Sequence, residues 1–295
     1  MGFIRKSAFV LAIAMLVYFF IPQHVNLDEV RGKRFLITGA SQNIGMELAY
    51  KYSKLGAKIV ITARREKQLQ EVVENCKKLG ALEANYIVAD MSDIQQTKKL
   101  IEKTVNIVGG LDYLVLNHAL LSASLQFWDG SNDQLNTAQK MMTINYLSYI
   151  HLSSYATPYL VKSNGRLVVV SSLAGHVNNP YMGVYGASKA AINQFYSSLR
   201  LEMALQKKYD YSITICLLGA IDTSRPKQKQ KEVNSKMNVA RHPVDETAQE
   251  IVDAAAARSA YVFVPKWTAV TGIIRAFTSE TLENIYLQAI FGNNS

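Results

Sequence analysis

The sequence predicts an α/β domain built on a parallel sheet of about seven strands. Short, apolar, β-branched runs alternate with longer segments of helical periodicity, and a glycine-rich turn follows the first of these runs. Because the runs are apolar throughout, they are typical of strands covered on both faces, as parallel strands are. The 295 residues suffice for one large domain, and no shift in composition indicates a second.

The elements follow one another in order along the chain. The predicted strands are 34–38, 58–62, 85–89, 111–116, 166–172, 212–217 and 260–264. A helical run follows the glycine-rich turn and reaches position 55, and the other predicted helices are 67–79, 94–107, 133–161, 185–206 and 243–257. This alternation predicts a doubly wound sheet, in which ligands bind at the carboxyl ends of the strands.

Charge and cysteine content narrow the function classes. The formal charge of +9 and the pI of about 9.3 permit contact with anionic cofactors, membranes or nucleic acid. The basic residues are scattered and no nucleic-acid-binding module is visible, so we predict no nucleic-acid partner. Cys76 and Cys216 form neither a disulfide framework nor a metal-binding cluster, and we therefore predict no metal.

The two ends of the chain differ from the predicted domain. Arg5 and Lys6 precede an uncharged, mostly apolar run from Ser7 to Ile21 of about 15 residues, shorter than the ~20 of a comfortable span. A secreted protein's signal peptide has this length, but no A-x-A cleavage site follows, which favours a retained anchor over 1–24. The positive-inside bias then places the main domain in the lumen, although cations at 31, 33 and 34 weaken the asymmetry. The tail, 266–295, is apolar with few charges, which predicts contact with substrate, a partner subunit or a membrane.

The first turn predicts a phosphate site. Its residues are Gly39, Ala40, Ser41, Gln42, Asn43, Ile44 and Gly45, and a helix follows, so that free N–H groups and the helix dipole favour an anion. Asn43 stands where a glycine would let the backbone approach a pyrophosphate. Asparagine tolerates a positive φ better than most residues, and the alternative is that Asn43 caps the helix.

The ends of the second and third strands predict which dinucleotide binds. Arg64 and Arg65 follow the second strand, where an acid would hold the ribose 2′-hydroxyl of NAD, and arginine suits the 2′-phosphate of NADP(H). Arg65 could instead be a solvated helix start. Asp90 and Met91 are predicted to contact the adenine end, with a turn start as the alternative for Asp90.

Polar residues also follow the later strands. Asn117, His118 and Ala119 come after the fourth strand, and no acid nearby in sequence would orient His118 as a base, so we predict a strand-end or cofactor-proximal residue. Asn145 is an amide among apolar neighbours, which could tie a helix to an adjacent strand and also hold a water. Cofactor contacts after the sixth strand are predicted at Gly219, Ile221 and Thr223.

A Tyr-x-x-x-Lys pair is the strongest catalytic signal. Tyr185 and Lys189 share one face of a helix, and an ammonium close to a phenol lowers the pKa of the phenol toward neutrality. Ser172 ends the fifth predicted strand, at the edge where ligands bind, so it and Tyr185 could both donate to one substrate oxygen. Ser171 is the competing hydroxyl.

These motifs resemble one family in their order and spacing. TGxxxxxG at 38–45, Asn117-His118-Ala119, Asn145, and Ser172 with Tyr185-x-x-x-Lys189 resemble a short-chain dehydrogenase/reductase with a single Rossmann domain over residues 30–265. The anchor and the stretches at 61–64, 145–149, 170–175 and 218–223 resemble its 11β-hydroxysteroid dehydrogenase type 1 group, including the type 1-like members. Two positions depart from the pattern: Asn43 replaces a glycine, and Asn179 stands where an aromatic steroid contact is expected, with Tyr181 close by.

The resemblance implies a mechanism and a location. Tyr185 would protonate a carbonyl oxygen as NADPH delivers hydride, Ser172 would hold that oxygen, Lys189 would bind the nicotinamide ribose, and Asn145 would position a relay water. It further implies a steroid-like, lipophilic substrate near Asn179 and Tyr181, a homodimer, and the endoplasmic reticulum membrane. The alternatives are a retinoid or xenobiotic carbonyl reductase and a nucleotide-binding scaffold with little catalysis. The loop 225–241 is predicted to be a substrate lid or a plain solvated loop.

Overall fold

The computed structural model describes residues 25–121, 127–206, 211–223 and 240–271. The predicted anchor, almost all of the predicted lid and most of the tail lie outside these ranges. Within them, no helix combines the length and the apolar character that crossing a membrane requires.

A seven-stranded parallel sheet forms the centre of the domain, with the strand order β3-β2-β1-β4-β5-β6-β7. The strands are β1 (Arg34–Thr38), β2 (Lys58–Ala63), β3 (Glu83–Val88), β4 (Tyr113–Leu116), β5 (Arg166–Val170), β6 (Ser212–Leu218) and β7 (Tyr261–Val264). The chain runs from β1 outward to β3 and then returns to place β4 beside β1. The carboxyl ends of β1 and β4 therefore flank a point where the winding reverses, which is the usual ligand position in such sheets.

Helices cover both faces of this sheet. They are α1 (Asn43–Lys54), α2 (Glu66–Lys78), α3 (Gln96–Val108), α4 (Asn132–Met142), α5 (Ser148–Lys162), α6 (Gly183–Gln206) and α7 (Val244–Ala256). Short 3₁₀ turns occupy Asp28–Val30, Leu173–Gly175 and Lys266–Ala269. The predicted doubly wound α/β architecture is confirmed.

The alternation of side chains along each strand creates two apolar cores. Phe35 and Ile37 of β1 point to one face, where they pack with α1, α2 and α7, whereas Leu36 points to the other, with α3, α5 and α6. All three are fully buried. A strand buried on both faces must be apolar at every position, which explains the uninterrupted runs in the sequence.

The predicted element ends lie within two residues of those in the structure, and three predictions are corrected. The fifth strand ends at Val170 rather than at 172, because Ser172 caps the turn that follows by accepting a hydrogen bond from the Ala174 amide. The helix predicted over 133–161 is interrupted by a π-helical turn at Thr143–Leu147. Asn43 is the first residue of α1 and not its cap, since Gln42 takes the cap position.

Candidate active site

The carboxyl ends of six strands, β1 to β6, surround one cleft of about 670 Å³. Most of the predicted site residues line it: Gly39, Ser41, Gln42, Asn43, Ile44, Arg64, Arg65, Asp90, Met91, Asn117, His118, Ala119, Ser172, Tyr185, Lys189, Gly219, Ile221 and Thr223. Gly45 and Asn145 lie outside this lining, as do Asn179 and Tyr181. Contact between substrate and either Asn179 or Tyr181 stays a prediction.

The phosphate turn is closely packed against the segment that follows β4. A Cβ on Gly45 would lie 2.5 Å from the Gly39 carbonyl oxygen and 2.6 Å from the Asn117 Nδ2. Asn117 in turn donates through Nδ2 to the carbonyl oxygens of Thr38 and Gly39, each at 3.2 Å. Only glycine fits position 45, because any side chain there would push apart the turn and its neighbour.

Asn43 adopts the backbone conformation that a glycine usually supplies. Its φ is +51°, in the left-handed region, where asparagine costs less than most other side chains. The side chain is half-buried and lines the cleft at the first turn of α1. The turn therefore keeps its shape without the glycine, with a carboxamide added at the phosphate position.

Arg64 and Arg65 are exposed at the end of β2, and the Arg65 Nη2 donates to the Ser41 Oγ at 3.0 Å. Asp90, after β3, accepts a hydrogen bond from the Ser92 amide at 2.9 Å, which confirms the turn; it also lines the cleft, and its contact with the adenine end stays a prediction. Burial opposes its charge, yet the hydrogen bonds from Ser92 and the nearby Arg64 guanidinium hold the pKa of Asp90 below its usual value. An ionised acid thus faces Arg64.

Tyr185, Lys189 and Ser172 meet at one wall of the cleft. The Lys189 Nζ is buried 5.9 Å from the centre of the Tyr185 ring and donates to the Val170 carbonyl oxygen at 3.0 Å. Burial lowers the pKa of Lys189 to about 7. The Ser172 Oγ donates to the Leu218 carbonyl oxygen at 3.2 Å. The competing hydroxyl, on Ser171, also lines the cleft but donates to the Asn193 Oδ1.

Asn145 lies in the π-helical turn and is fully buried behind the cleft. Its Oδ1 accepts from the Leu120 amide at 2.7 Å, and its Nδ2 donates to the Leu120 carbonyl oxygen at 3.1 Å and to the Ser188 Oγ at 3.0 Å. The side chain therefore ties the turn both to the segment after β4 and to the helix that carries Tyr185. That Asn145 holds a water stays a prediction.

His118 is a buried connecting residue rather than an exposed base. Its Nδ1 lies 2.8 Å from the Thr38 Oγ1, and its Nε2 lies 2.7 Å from the Ser148 Oγ. Burial, reinforced by the charge of Lys189, lowers the pKa of His118 to about 3, which keeps the imidazole neutral at physiological pH. The partners Thr38 and Ser148 were not predicted, because nothing local in the sequence indicates that they share one ring.

Sequence reasoning also missed part of the cleft wall. Leu120, Leu121 and Ile144 line it and add an apolar surface next to the Tyr185 wall. They lie in irregular segments around the β4 end and the π-helical turn, and no periodic pattern distinguishes them from core residues.

A parallel sheet with a glycine-bearing phosphate turn at its reversal point, and a tyrosine, lysine and serine at the same edge, defines a Rossmann-type oxidoreductase. Residues 33–234 match the sequence profile of the short chain dehydrogenases, and the chain belongs to that family. It is an oxidoreductase that acts on CH–OH groups.

Relatives with high identity are named hydroxysteroid 11-beta-dehydrogenase 1-like proteins. Protein B of that name from Xenopus laevis is 42% identical over 250 residues, which cover 85% of this chain and 84% of the relative. The protein of that name from Gallus gallus is 41% identical over 256 residues, which cover 87% of this chain and 86% of the relative. These matches confirm the family resemblance.

Solved structures share the fold. A short chain dehydrogenase from Burkholderia cenocepacia in complex with NADP has a TM-score of 0.69 and 26% identity, covering 79% of this chain and 96% of its own. A short chain dehydrogenase/reductase from Burkholderia phymatum in complex with NAD has a TM-score of 0.74 and 23% identity, covering 88% and 96%. The second likeness shows the fold alone.

Proposed function

We propose that this protein is an NADP(H)-dependent oxidoreductase that interconverts a hydroxyl and a keto group on a steroid-like, lipophilic substrate. The observation that carries the proposal is the buried Lys189 ammonium site, 5.9 Å from the Tyr185 ring and on the same cleft wall as Ser172. A phenol, a nearby cation and a second hydroxyl are what proton transfer to and from a carbonyl oxygen requires.

The residues present fit a phosphorylated dinucleotide. The turn from Gly39 to Gly45 is closely packed and lines the cleft where α1 begins, and the free N–H groups of a helix start suit a pyrophosphate. Arg64 and Arg65 follow β2 and suit a 2′-phosphate, for which a planar guanidinium is the preferred partner. When bound, the nicotinamide supplies or accepts the hydride. The relative of known structure that binds NADP supports this choice.

The proton steps fall to this chain's own side chains. In the reductive direction the Tyr185 hydroxyl donates its proton to the substrate oxygen, and in the oxidative direction the phenolate accepts it. The charged form of Lys189 stabilises that phenolate electrostatically. The Ser172 Oγ accepts a hydrogen bond from the Ala174 amide at 3.1 Å and donates its own proton to the Leu218 carbonyl oxygen. By rotating, this hydroxyl can donate the same proton to the substrate oxygen instead.

Two features support a lipophilic substrate. Leu120, Leu121 and Ile144 give the cleft an apolar wall next to the catalytic residues. The relatives that cover most of the chain bear the name hydroxysteroid 11-beta-dehydrogenase 1-like protein. A retinoid or xenobiotic carbonyl would suit the same wall, and substrate competition separates these classes.

We also propose that residues 1–24 anchor the protein in the endoplasmic reticulum membrane with the domain in the lumen, and that the protein is a homodimer. The apolar run between Ser7 and Ile21 and the cations before it support the anchor. Protease protection in sealed microsomes tests the orientation, and sedimentation in mild detergent tests the dimer. Digestion of the domain in the absence of detergent would contradict the lumenal orientation. Sedimentation as a monomer only would contradict the homodimer.

The deciding experiment titrates the full chain with NADPH and NADH and then adds a panel of keto-steroids, retinals and other carbonyls. We expect NADPH binding and oxidation with a keto-steroid, loss of turnover in Tyr185→Phe with retained NADPH binding, and normal turnover in the control Tyr155→Phe, which alters a tyrosine exposed on α5. Binding without oxidation of any carbonyl would show a scaffold. Turnover retained in Tyr185→Phe would refute the mechanism.

A further inference from the structure

A second groove lies at the amino edge of the sheet, opposite the cleft. It has a volume of about 550 Å³ and lies between the starts of β1, β2 and β4. Four of its side chains are cationic, Arg31, Lys33, Arg34 and Lys58, and one, Asp112, is anionic. The oxidoreductase activity proposed above uses none of them.

Arg34 takes up the single acid of this groove. Its Nε and Nη2 bind the two carboxylate oxygens of Asp112 at 2.7 and 2.9 Å, and its Nη1 donates to the Gly109 carbonyl oxygen at 2.7 Å. Burial opposes the charge of Asp112, but the hydrogen bonds from Arg34 outweigh it and hold the pKa of this carboxyl below its usual value. The charge of Lys33 also acts on Asp112, but the four cations of the groove outnumber its one acid.

The neighbouring strands place one cation and one acid opposite Lys58. Lys58 lies opposite Arg34 in the β1–β2 register, and like charges placed opposite one another are unfavourable. On its other side the register partner is Glu83, whose Oε1 accepts from the Asn85 Nδ2 at 3.0 Å. Among the residues that the structure describes, no hydrogen bond or ion pair joins Lys58 to Glu83. Glu83, of opposite charge, thus lies opposite Lys58 without a direct ion pair, and the Lys58 ammonium stays available to a bound anion.

Glu29, which precedes the groove residues in the chain, forms an ion pair outside the groove. Glu29 turns to Arg166, with 3.4 Å between the Oε2 and Nη2 atoms. Within the described ranges, the side chains of Arg31 and Lys33 likewise form no ion pair or hydrogen bond. Three further cations thus line an open groove whose one acid, Asp112, is already hydrogen-bonded to Arg34.

The position of this groove along the chain indicates the source of the anion. Leu27 packs against the core and Val30 is fully buried, so the domain begins at this edge of the sheet. The apolar run ends at Ile21, and the chain from there to Leu27 spans at most about 20 Å. With residues 1–24 held in a bilayer, the amino edge of the sheet must lie close to the lipid headgroups.

We propose that the groove formed by Arg31, Lys33 and Lys58 binds the phosphate of an anionic lipid headgroup and so orients the domain on its membrane. The choice of a lipid as the source rests on the membrane attachment proposed above, and the anion site itself rests only on the groove. Each cation close to an anionic membrane surface is worth about fivefold in affinity. Reversing two of them should therefore weaken binding by more than about tenfold.

The test uses the full chain in nonionic detergent, to which phosphatidylserine, phosphatidylcholine or inorganic phosphate is added. Hydrogen exchange of the amides at 31–34 and 58, followed by mass spectrometry, reports occupancy of the groove. We expect phosphatidylserine to protect these amides in the wild type and not in Lys33→Glu/Lys58→Glu. The control, Lys67→Glu/Lys99→Glu, makes the same change in net charge on exposed residues near the amino ends of α2 and α3, and it should behave as the wild type.

The outcomes distinguish the anion site itself from the proposed source of the anion, which is a lipid. Equal protection in Lys33→Glu/Lys58→Glu and the wild type would overturn the groove as an anion site. Protection by inorganic phosphate but not by phosphatidylserine would support the site and overturn the lipid. Because the readout does not involve turnover, a failure here and a failure of the oxidoreductase proposal are distinguishable.

Discussion

Asn43 is the residue at which this chain departs most clearly from its family's phosphate turn. A glycine there lets the backbone approach a pyrophosphate, whereas asparagine keeps the φ of +51° and adds a side chain to the cleft wall. We predict that Asn43→Gly tightens NADPH binding by up to about tenfold, or 1.4 kcal/mol. Asn43→Ala should instead lower the free energy of unfolding by about 1 kcal/mol, because alanine tolerates the left-handed region poorly.

Nucleotide titration and urea unfolding measure the two effects separately. Gln95→Ala provides the control, since Gln95 is exposed, takes the cap position of α3 without a side-chain cap hydrogen bond and lies outside the cleft lining. Weaker NADPH binding in Asn43→Gly than in the wild type would show that the carboxamide itself contacts the cofactor.

Lys189 couples the active site to the stability of the fold. The pKa of Lys189 is about 7 in the folded protein and near its ordinary 10.5 in the unfolded chain, so between these values only the unfolded chain binds the proton. The contribution of Lys189 to the free energy of unfolding is thus fully present above pH 10.5 and is lost as the pH falls to about 7.

Lys189→Met removes that pH dependence. We predict that the free energy of unfolding of the wild type rises with pH between 7.5 and 9.5 by about 1.4 kcal/mol per unit more than that of Lys189→Met. The variant should fold normally and lose turnover. Urea unfolding at several pH values measures the difference, with Lys99→Met as the exposed control; parallel curves for wild type and Lys189→Met would rule out the buried, partly neutral lysine.

At the scale of elements, the π-helical turn at Thr143–Leu147 is what brings Asn145 to the active-site helix. A π-turn leaves a carbonyl oxygen outside the normal helical pattern. The Ile144 carbonyl oxygen accepts from the Ser148 Oγ at 2.7 Å and lies 3.2 Å from the His118 Nε2. His118 thus joins the turn to Thr38 at the end of β1, and we infer that it positions Asn145.

His118→Asn tests this connection. The pKa of His118 is about 3 in the folded protein and about 6.5 in the unfolded chain. The stability that His118 contributes is therefore present above pH 6.5 and is lost as the pH falls toward 3. We predict that the wild type loses about 1.4 kcal/mol per pH unit more than His118→Asn between pH 6.0 and 4.5. Turnover should fall by up to about a hundredfold, because a misplacement of about 1 Å can have that effect.

His151→Asn is the control, since His151 lies on α5 away from the cleft and is half-buried. Urea unfolding across the acid range and steady-state kinetics provide the two measurements. A variant that keeps both the wild-type acid slope and the wild-type turnover would leave His118 with no positioning role.

The elements that the sequence predicts well are those whose pattern is local. Strand β1 occupies 34–38 as predicted, because a strand buried on both faces leaves an uninterrupted apolar run. The π-turn was missed, since one extra residue in a helical turn changes the periodicity too little to detect in a single sequence. The end of β5 was placed two residues late, because the cap that Ser172 forms with Ala174 has no signal stronger than the apolar run before it.

The residues of the site fall into the same two groups, those with a local signal in the sequence and those without one. Asp90 and Asn117 could be found from the strand pattern because each follows the end of a strand, whereas the choice of Ser172 over Ser171 depends on its spacing from Tyr185. The partners of buried polar groups could not: Asn145 binds Leu120 and Ser188, and Arg34 binds Asp112, 78 residues away. Such pairs depend on how the strands are ordered in the sheet, which no local pattern encodes.

The ends of six strands line one cleft, so a cofactor bound there would contact both halves of the sheet. A ligand that binds only the folded state stabilises it by about 2.7 kcal/mol at a hundred times its Kd. We predict this increase in the free energy of unfolding with NADPH, together with slower hydrogen exchange in β1 to β6. Equal concentrations of NADH should give a smaller increase.

The difference between the two nucleotides should depend on the guanidinium groups after β2. In Arg64→Ala/Arg65→Ala the stabilisation by NADPH is expected to fall to that by NADH, because the 2′-phosphate loses its partners, whereas the lost hydrogen bond from Arg65 to Ser41 affects both nucleotides alike. Arg200→Ala, which removes a guanidinium on α6 that stacks on Tyr261, is the control and should retain the preference for NADPH. If NADPH kept its advantage in Arg64→Ala/Arg65→Ala, the preference would have to arise elsewhere in the cleft. If NADPH stabilised only β1 and β2, the cofactor would not join the two halves of the sheet.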